Sequence, residues 1–544
     1  MTHLSSTWGR RSAAALATTS LVVAGLGFTT PPANAVDPAP AAGGWLASQL
    51  TNGLVHNNQY DFDDLGLSAD VALALAAVGG ADATVTQIAN AVAPRAKSEW
   101  YTSEFGGIVT TYGGSLAKAA VLATTAKQDP KAFGGENLVA LLEQQVADAA
   151  PIAGRVENTN DSFGDANVFG QAYAVRALST AGSAEAAASV DFLLRQQCAA
   201  GYFRLNFSAD KAAAGQDCVD GAVGSEPDTD ATAIAVQDLI ALKSTNAKVT
   251  AAIAKSVAWL KASQGADGSF GGGTTTEAAN SNSTGLAAAV LASQGECVAA
   301  GRAANWVRDL QVPPGAPGAL ATEAGAVAYD KAALTMAESG GIAVADQDQW
   351  RRATTQSALG LTATLSKTAG PWTGPVGYVR AGSSQTLALT GVTAGDNVCL
   401  TDATGVATAV KAVGTTAATS VKVPAGTAST VYKAAWAGGE SALTIKALDK
   451  LVIKPVVAKK KVRKGQKQRI VVKGLAANEH VIVRVNGKRV AKGMSTSGGK
   501  FVAKFKITKK LSTKKKAKVK VVGEFRDLRN GTSKFVVLPQ RTLR

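Results

Sequence analysis

The chain has 544 residues, 46% hydrophobic and 18% charged, a length that predicts several domains. Its net charge of +16 hides a division: residues 450–544 carry 29 Lys and Arg against 3 Asp and Glu, a net +26, and the other 449 residues carry 27 against 37, a net −10. Four cysteines without a CxxC pair, and only His3, His56 and His480, exclude a structural zinc site, which needs four clustered nitrogen or sulfur ligands. No metal and no other cofactor is expected.

Residues 1–35 read as a signal peptide: Arg10 and Arg11, an apolar stretch Ser12 to Phe28, and the small-residue site Ala33-Asn34-Ala35. Beyond it no apolar run is long enough to cross a bilayer. The expectation is an exported, envelope-associated protein in an oxidising location. There Cys198 and Cys218 are expected to bridge, closing a loop of about twenty residues and contributing roughly 3 kcal/mol. Cys297 and Cys399 fall in different candidate domains; of a bridge and two buried thiols, the reading favours the thiols.

From about 45 to 360 the pattern is alternating helices. Six segments are rich in small residues and poor in charge: 64–79, 113–126, 165–181, 228–243, 282–294 and 322–338. Between them lie more charged, amphipathic segments at 82–97, 135–149, 184–197, 248–264, 298–311 and 345–359. Small side chains allow close helix approach, so the first kind is expected inside and the second outside. Stacked pairs of this sort bury a continuous core only with neighbours. Six pairs are expected to curve into a closed ring.

A spaced frame recurs through this region, an aromatic followed by Gln and then Gly: Phe192…Gln197…Gly201, Trp259…Gln264…Gly268, Trp306…Gln311…Gly315, and a shorter first copy Trp45…Gln49…Gly53. Trp350…Gln356…Gly360 is a loose last copy. The frame, with Phe203 or Phe270 two residues after the Gly, resembles the QW repeat of squalene/hopene cyclases and the related prenyltransferase repeat. The resemblance covers about residues 41–360 and implies an (α/α)6 toroid. It also implies that Gln197, Gln264 and Gln311 tie one helix end to the next helix start.

From about 371 the period changes to two. Residues 371–448 and 449–544 read as two all-β, immunoglobulin-like sandwiches following a toroid of 36–370, with Asn486-Gly487 as a hairpin turn in the second.

Asp228 and Asp230, in Pro227-Asp-Thr-Asp-Ala-Thr-Ala233, resemble the DxDD stretch of class II terpene cyclases. That resemblance implies that Asp230 is a general acid supported by Asp228, although Ala231 replaces one supporting carboxylate. The plainer reading makes Asp228 a helix cap with Asp230 in the first turn. Tyr60, Asp61, Asp63, Asp64, Tyr112, Asn160, Asp161, Asp165 and Asn280 also precede or begin small-residue helices. They are expected to rim one end of the ring with carboxylates, amides and aromatics suited to a glycan or small molecule, unless capping and turn chemistry explains them. His56, Asn57 and Tyr60 give a weaker, lyase-like grouping.

In the last domain Lys459, Lys460, Lys461, Arg463, Lys464, Lys509, Lys510, Lys514, Lys515 and Lys516 form dense runs. Such runs attract polyanions, here anionic cell-wall polymers or a membrane surface. Lys exceeds Arg and aromatics are few, which argues against specific nucleic-acid reading. The expected function is a secreted, envelope-associated binding protein: a toroid holding a small molecule or glycan, retained by a basic domain. The alternative is an enzyme on the same scaffold, cyclase-like through Asp230 or lyase-like. Nothing in the sequence fixes the oligomeric state.

Overall fold

The computed structural model describes residues 37–160, 166–375, 377–425, 429–448, 452–511, 516–525 and 531–538. The expected leader 1–35 and the expected site residues Asp161, Asp165, Lys514 and Lys515 lie outside the described residues. No helix among the described residues is long and apolar enough to cross a membrane.

Thirteen α-helices occupy the described residues up to 357: α1 (Pro38–Ser48), α2 (Leu65–Val78), α3 (Asp82–Val92), α4 (Gly113–Thr125), α5 (Leu138–Glu143), α6 (Val168–Ala181), α7 (Ala186–Arg195), α8 (Thr229–Ala241), α9 (Ala247–Ser263), α10 (Ser281–Ser293), α11 (Cys297–Arg308), α12 (Lys331–Gly340) and α13 (Gln347–Ser357). Helices α2, α4, α6, α8, α10 and α13 pack each on the next, and α13 packs back on α2, so the ring is closed. Glycine permits the closest approaches. A Cβ on Gly114 of α4 would lie 3.0 Å from the Cα of Gly170 in α6, and one on Gly285 of α10 would lie 2.5 Å from the Cα of Ser357 in α13.

The sixth inner helix is α13, not the expected segment 322–338. That segment contains α12, which exposes Met336 and contributes nothing to the central cavity. The charges of α13 misled the sorting because they serve a seam rather than solvent. Arg352 pairs with Asp64 at the start of α2 (2.8 Å), and Arg351 donates to the carbonyl of His56 (2.8 Å).

The frame glutamines tie successive outer helices. Gln197 Nε2 donates to Ala252 O of α9 (2.8 Å) and to Gly201 O (3.2 Å). Gln264 Nε2 donates to Ala299 O of α11 (2.9 Å) and to Gly268 O (3.1 Å). Gln311 Nε2 donates to Pro38 O of α1 (2.9 Å), and its glycine partner is Gly325 O (3.1 Å), not Gly315. Ten further residues separate this Gln from its Gly, which hid the true copy. Gly325 has φ +100, and a Cβ there would lie 2.1 Å from Ala41 O, so glycine is required against α1. Two of the frame aromatics dock on the preceding turn through their indole N–H: Trp306 Nε1 donates to Asp267 (3.1 Å), and Trp45 Nε1 donates to Glu323 (2.7 Å). Gln356 of the loose last copy ties no helix and instead faces the cavity.

Residues 372–448 form two sheets of five and three strands around a shared core that includes Leu389, Val398, Leu400, Ala417 and Ala434. Residues 454–538 form another pair of five and three strands over Ile470, Val472, Val483, Val519 and Phe535. Asn486 and Gly487 both take positive φ, +47 and +81, in the turn between His480–Val485 and Lys488–Met494. Cys198 bridges Cys218 as expected. Cys297 and Cys399 also form a disulfide, against the thiol reading. The bridge joins α11 to a strand of the first sandwich, beside the ion pair Arg308–Asp396 (2.8 Å). The toroid and the first sandwich are therefore covalently fastened.

Candidate functional site

Caps at the starts of the inner helices set a common register. Asp64 accepts from Leu67 N–H (2.7 Å), Asn167 from Phe169 N–H (3.1 Å), Asp228 from Ala231 N–H (2.8 Å) and Asn280 from Ser283 N–H (2.9 Å). A cap side chain folds back over the free N–H groups of the first turn. Four residues after the cap, a hydroxyl or amide receives the backbone of the incoming loop. Val55, Val156, Phe203 and Phe270 donate to Ser68, Gln171, Thr232 and Thr284, and Val327 donates to Thr354 of α13 in the same way.

The side chains facing the ring axis come at helical intervals after the cap position. Two residues on lie Gly114, Phe169, Asp230 and Asn282; six on, Asp70, Lys118, Tyr173, Ile234 and Leu286; nine on, Leu73, Arg176, Gln237 and Ala289. With Gln356 and Leu359 they line a cavity of about 870 Å³. No residue of α1, α3, α5, α7, α9, α11 or α12 lines it.

The wall combines charged, uncharged polar and apolar groups. Lys118 pairs with Asp70 (2.8 Å) and stands 5.6 Å from the centre of the Tyr173 ring. Arg176 pairs with Asp238 (3.4 Å). Burial pushes the Asp238 carboxyl up to about 6, with Arg176 opposing the rise. Ile234, Leu286, Ala289 and Leu359 supply the apolar wall.

Asp230 is the one charged lining group without a countercharge among the described residues. Burial pushes its carboxyl up to about 6; the neighbouring Ser283 hydroxyl opposes the rise and Asp228 adds to it. Asp230 Oδ1 is buried without a hydrogen-bond partner among the described residues, as are Asp238 Oδ2 on the same helix, Asn282 Oδ1 and Ser283 Oγ on α10, and Gln356 Oε1 on α13. A carboxyl near pKa 6 in such a wall can donate or accept a proton near neutral pH.

The expected rim residues do not converge. Asp228 is buried at 6% exposure, with burial raising its carboxyl, and serves as the cap of α8. Asn280 is fully buried as the cap of α10, and Asp64 caps α2. Tyr60 (69% exposed) and Asp61 sit on an outer turn. Asp63 is held by Arg95 (2.6 Å) and His56 (2.9 Å), which keep its carboxyl below the usual range, Arg95 foremost. Asn160 donates to Val109 O (2.9 Å) on the surface. Among the described residues of the expected rim, Tyr112 alone lines the cavity, with its hydroxyl 2.9 Å from Ser103. His56, Asn57 and Tyr60 do not meet there.

Sequence reasoning missed Asp70, Lys118, Tyr173, Arg176 and Asp238. The signal was present: Asp70, Lys118 and Arg176 are the only charges in α2, α4 and α6. A lone charge in an otherwise small, apolar inner helix has to face either a partner or a cavity.

No protein-family model and no curated protein matches the chain. Among solved structures it is similar to the type II terpene cyclase MstE from Scytonema, at 15% identity over 60% of this chain and 97% of that chain, with a TM-score of 0.41. It is likewise similar to a protein from Actinoplanes, at 16% identity over 61% and 99% of the two chains, with a TM-score of 0.41. The fold assignment rests on the closed ring and its repeated ties.

Proposed function

We propose that the toroid holds a small molecule in its central cavity and that the basic C-terminal sandwich retains the protein at a polyanionic surface of the cell envelope. The observation that carries the first part is the cavity of about 870 Å³, lined by both apolar and charged groups. Its internal ion pairs hold Asp70 and Asp238 neutralised, leaving Asp230 to meet the ligand. An amphiphilic ligand with a hydrogen-bond-donating end fits this wall better than a fully apolar one. The second part is supported by the net +26 of residues 450–544. In this reading the strands of both β regions serve as immunoglobulin-like spacers. Lys459, Lys460, Lys464, Lys509 and Lys510 lie in exposed turns, Lys461 and Lys516 are exposed at the starts of strands, and half-buried Arg463 ends one.

A second reading is catalytic: Asp230 protonates the bound molecule. Its raised carboxyl pKa and partnerless buried oxygen favour it.

Native mass spectrometry of the purified full chain reads any bound mass directly. A defined adduct that is lost in Asp230→Asn or Ile234→Trp supports the cavity; an adduct unchanged in both rules it out. Turnover of the recovered molecule that stops in Asp230→Asn while binding persists selects the catalytic reading. Retention on purified cell walls that falls steeply with salt supports attachment, and salt-indifferent retention removes it.

A further inference from the structure

The last sandwich turns cations outward on both of its sheets, and the cations are in register. On the three-stranded sheet Lys467 lies opposite Lys506, Arg469 opposite Lys504, and Lys473 opposite Lys454. All six are exposed, whereas Gln468, Ile470 and Val472 alternate with them into the core. On the five-stranded sheet Arg484 lies between Arg489 on one neighbouring strand and Lys520 on the other, and Lys518 continues the outward row. These four are exposed as well. No ion pair among the described residues involves any of these ten cations.

Like charges directly opposite one another destabilise a sheet. Protection of an edge strand needs a few lysines at the edge, not matched cations across the middle of both faces. The arrangement is relieved by an anion brought from outside. Rows about 4.8 Å apart across strands and about 6.8 Å apart along them make a grid of positive points. A linear polymer with closely spaced phosphates can follow such a grid. Lysine suits it, because an ammonium binds phosphate as a point charge without demanding a planar partner. The two outer faces of a sandwich look in opposite directions. A flat bilayer meets only one of them, whereas separate polymer strands can occupy both.

We propose that the second sandwich is a two-sided holder for linear phosphate polymers, with one strand on each sheet, and that it thereby cross-links them. This rests on the polyanion reading of the basic domain given above, and it assigns the binding to the sheet faces rather than to the lysine runs in the turns.

The full chain is titrated with long-chain inorganic polyphosphate, following binding to the immobilised polymer and light scattering in solution. Two variants neutralise the named cations of one face each: K454Q/K467Q/R469Q/K473Q/K504Q/K506Q and R484Q/R489Q/K518Q/K520Q. The expected result is that the unmodified chain binds and scatters at intermediate ratios and clears in polymer excess. Each variant still binds, within about tenfold, but no longer scatters, and the combined variant loses both. Scattering that persists in either single-face variant overturns the proposal. So does loss of all binding in one variant while the other behaves as the unmodified chain. Binding to vesicles of anionic phospholipid without binding to polyphosphate overturns it in favour of a membrane. Failure of the unmodified chain to bind either probe removes the polyanion reading itself. Unchanged circular dichroism of the variants shows that the fold is intact.

Discussion

Gln311 donates its side-chain amide to the backbone carbonyl of Pro38, 2.9 Å away and 273 residues earlier. The same tie joins Gln264 to Ala299 and Gln197 to Ala252 within the body of the repeat. The contact that closes the ring is therefore the contact that builds it, used once more between the two ends.

Gln311→Ala removes that donor and leaves two carbonyls, Pro38 O and Gly325 O, without it. A loss of about 1–3 kcal/mol in stability is expected, read as a lower denaturant midpoint with faster amide exchange in α1. Gly325→Ala should cost more, because the methyl meets Ala41 O and the positive φ is strained for alanine. Equal exchange in α1 for the unmodified chain and both variants would contradict the closure role.

Asp230 gives a pH-dependent expectation with a definite sign. Its folded pKa of about 6 lies above the ordinary carboxylate value. The associated stability is thus fully present below about pH 4 and is lost as pH rises through 6. Asp230→Asn removes this dependence. The variant should be more stable than the parent by on the order of 1–3 kcal/mol at pH 7.5, with the gain vanishing near pH 4. Urea midpoints across pH 4–8 decide it; a variant destabilised at pH 7.5 would show that the charge is compensated.

Asp228 acts through its cap. Asp228→Ala should lose about 1–2 kcal/mol of stability, whereas Asp228→Asn, which keeps an acceptor for Ala231 N–H, should recover most of it. If Asn fails as badly as Ala in thermal unfolding, the carboxylate has a role beyond the cap.

The Cys297–Cys399 bridge spans 102 residues and couples the toroid to the first sandwich. Replacing both cysteines by serine should remove about 4–5 kcal/mol on the chain-entropy account. Calorimetry is expected to show the sandwich transition separating from that of the toroid. A single unshifted transition would mean that Arg308–Asp396 and the surrounding packing already suffice.

The two kinds of helix, their polar starts and the change to strands were legible in the sequence because each rests on local chemistry. Capping at Asp64 and Asp228 follows from short polar side chains ahead of apolar turns. The rim built from the same residues did not form, because a cap faces its own helix and the residue two positions later faces the axis. That rotation separates Asp230 from Asp228. Charge content misplaced α13, since Arg351 and Arg352 serve partners that are distant in sequence, His56 and Asp64. The distance from Gln311 to Gly325 defeated a fixed spacing in the same way. In each case the deciding partner lies across the ring, where no window of sequence reaches.

The seam at Pro38 also sets an order of events. Helix α1 is the first described helix to leave the ribosome, and its outward neighbour, Gln311, together with Glu323 and Gly325, is among the last parts of the ring to follow. Until then Trp45 lacks the acceptor for its indole N–H, and the α1 carbonyls wait for their donor. The helices from α2 to α11 can stack as they emerge, but the tie from Gln311 to Pro38 can form only after a lag of 273 residues. Assembly of this ring is a race between that last step and everything an unclosed edge attracts in the meantime.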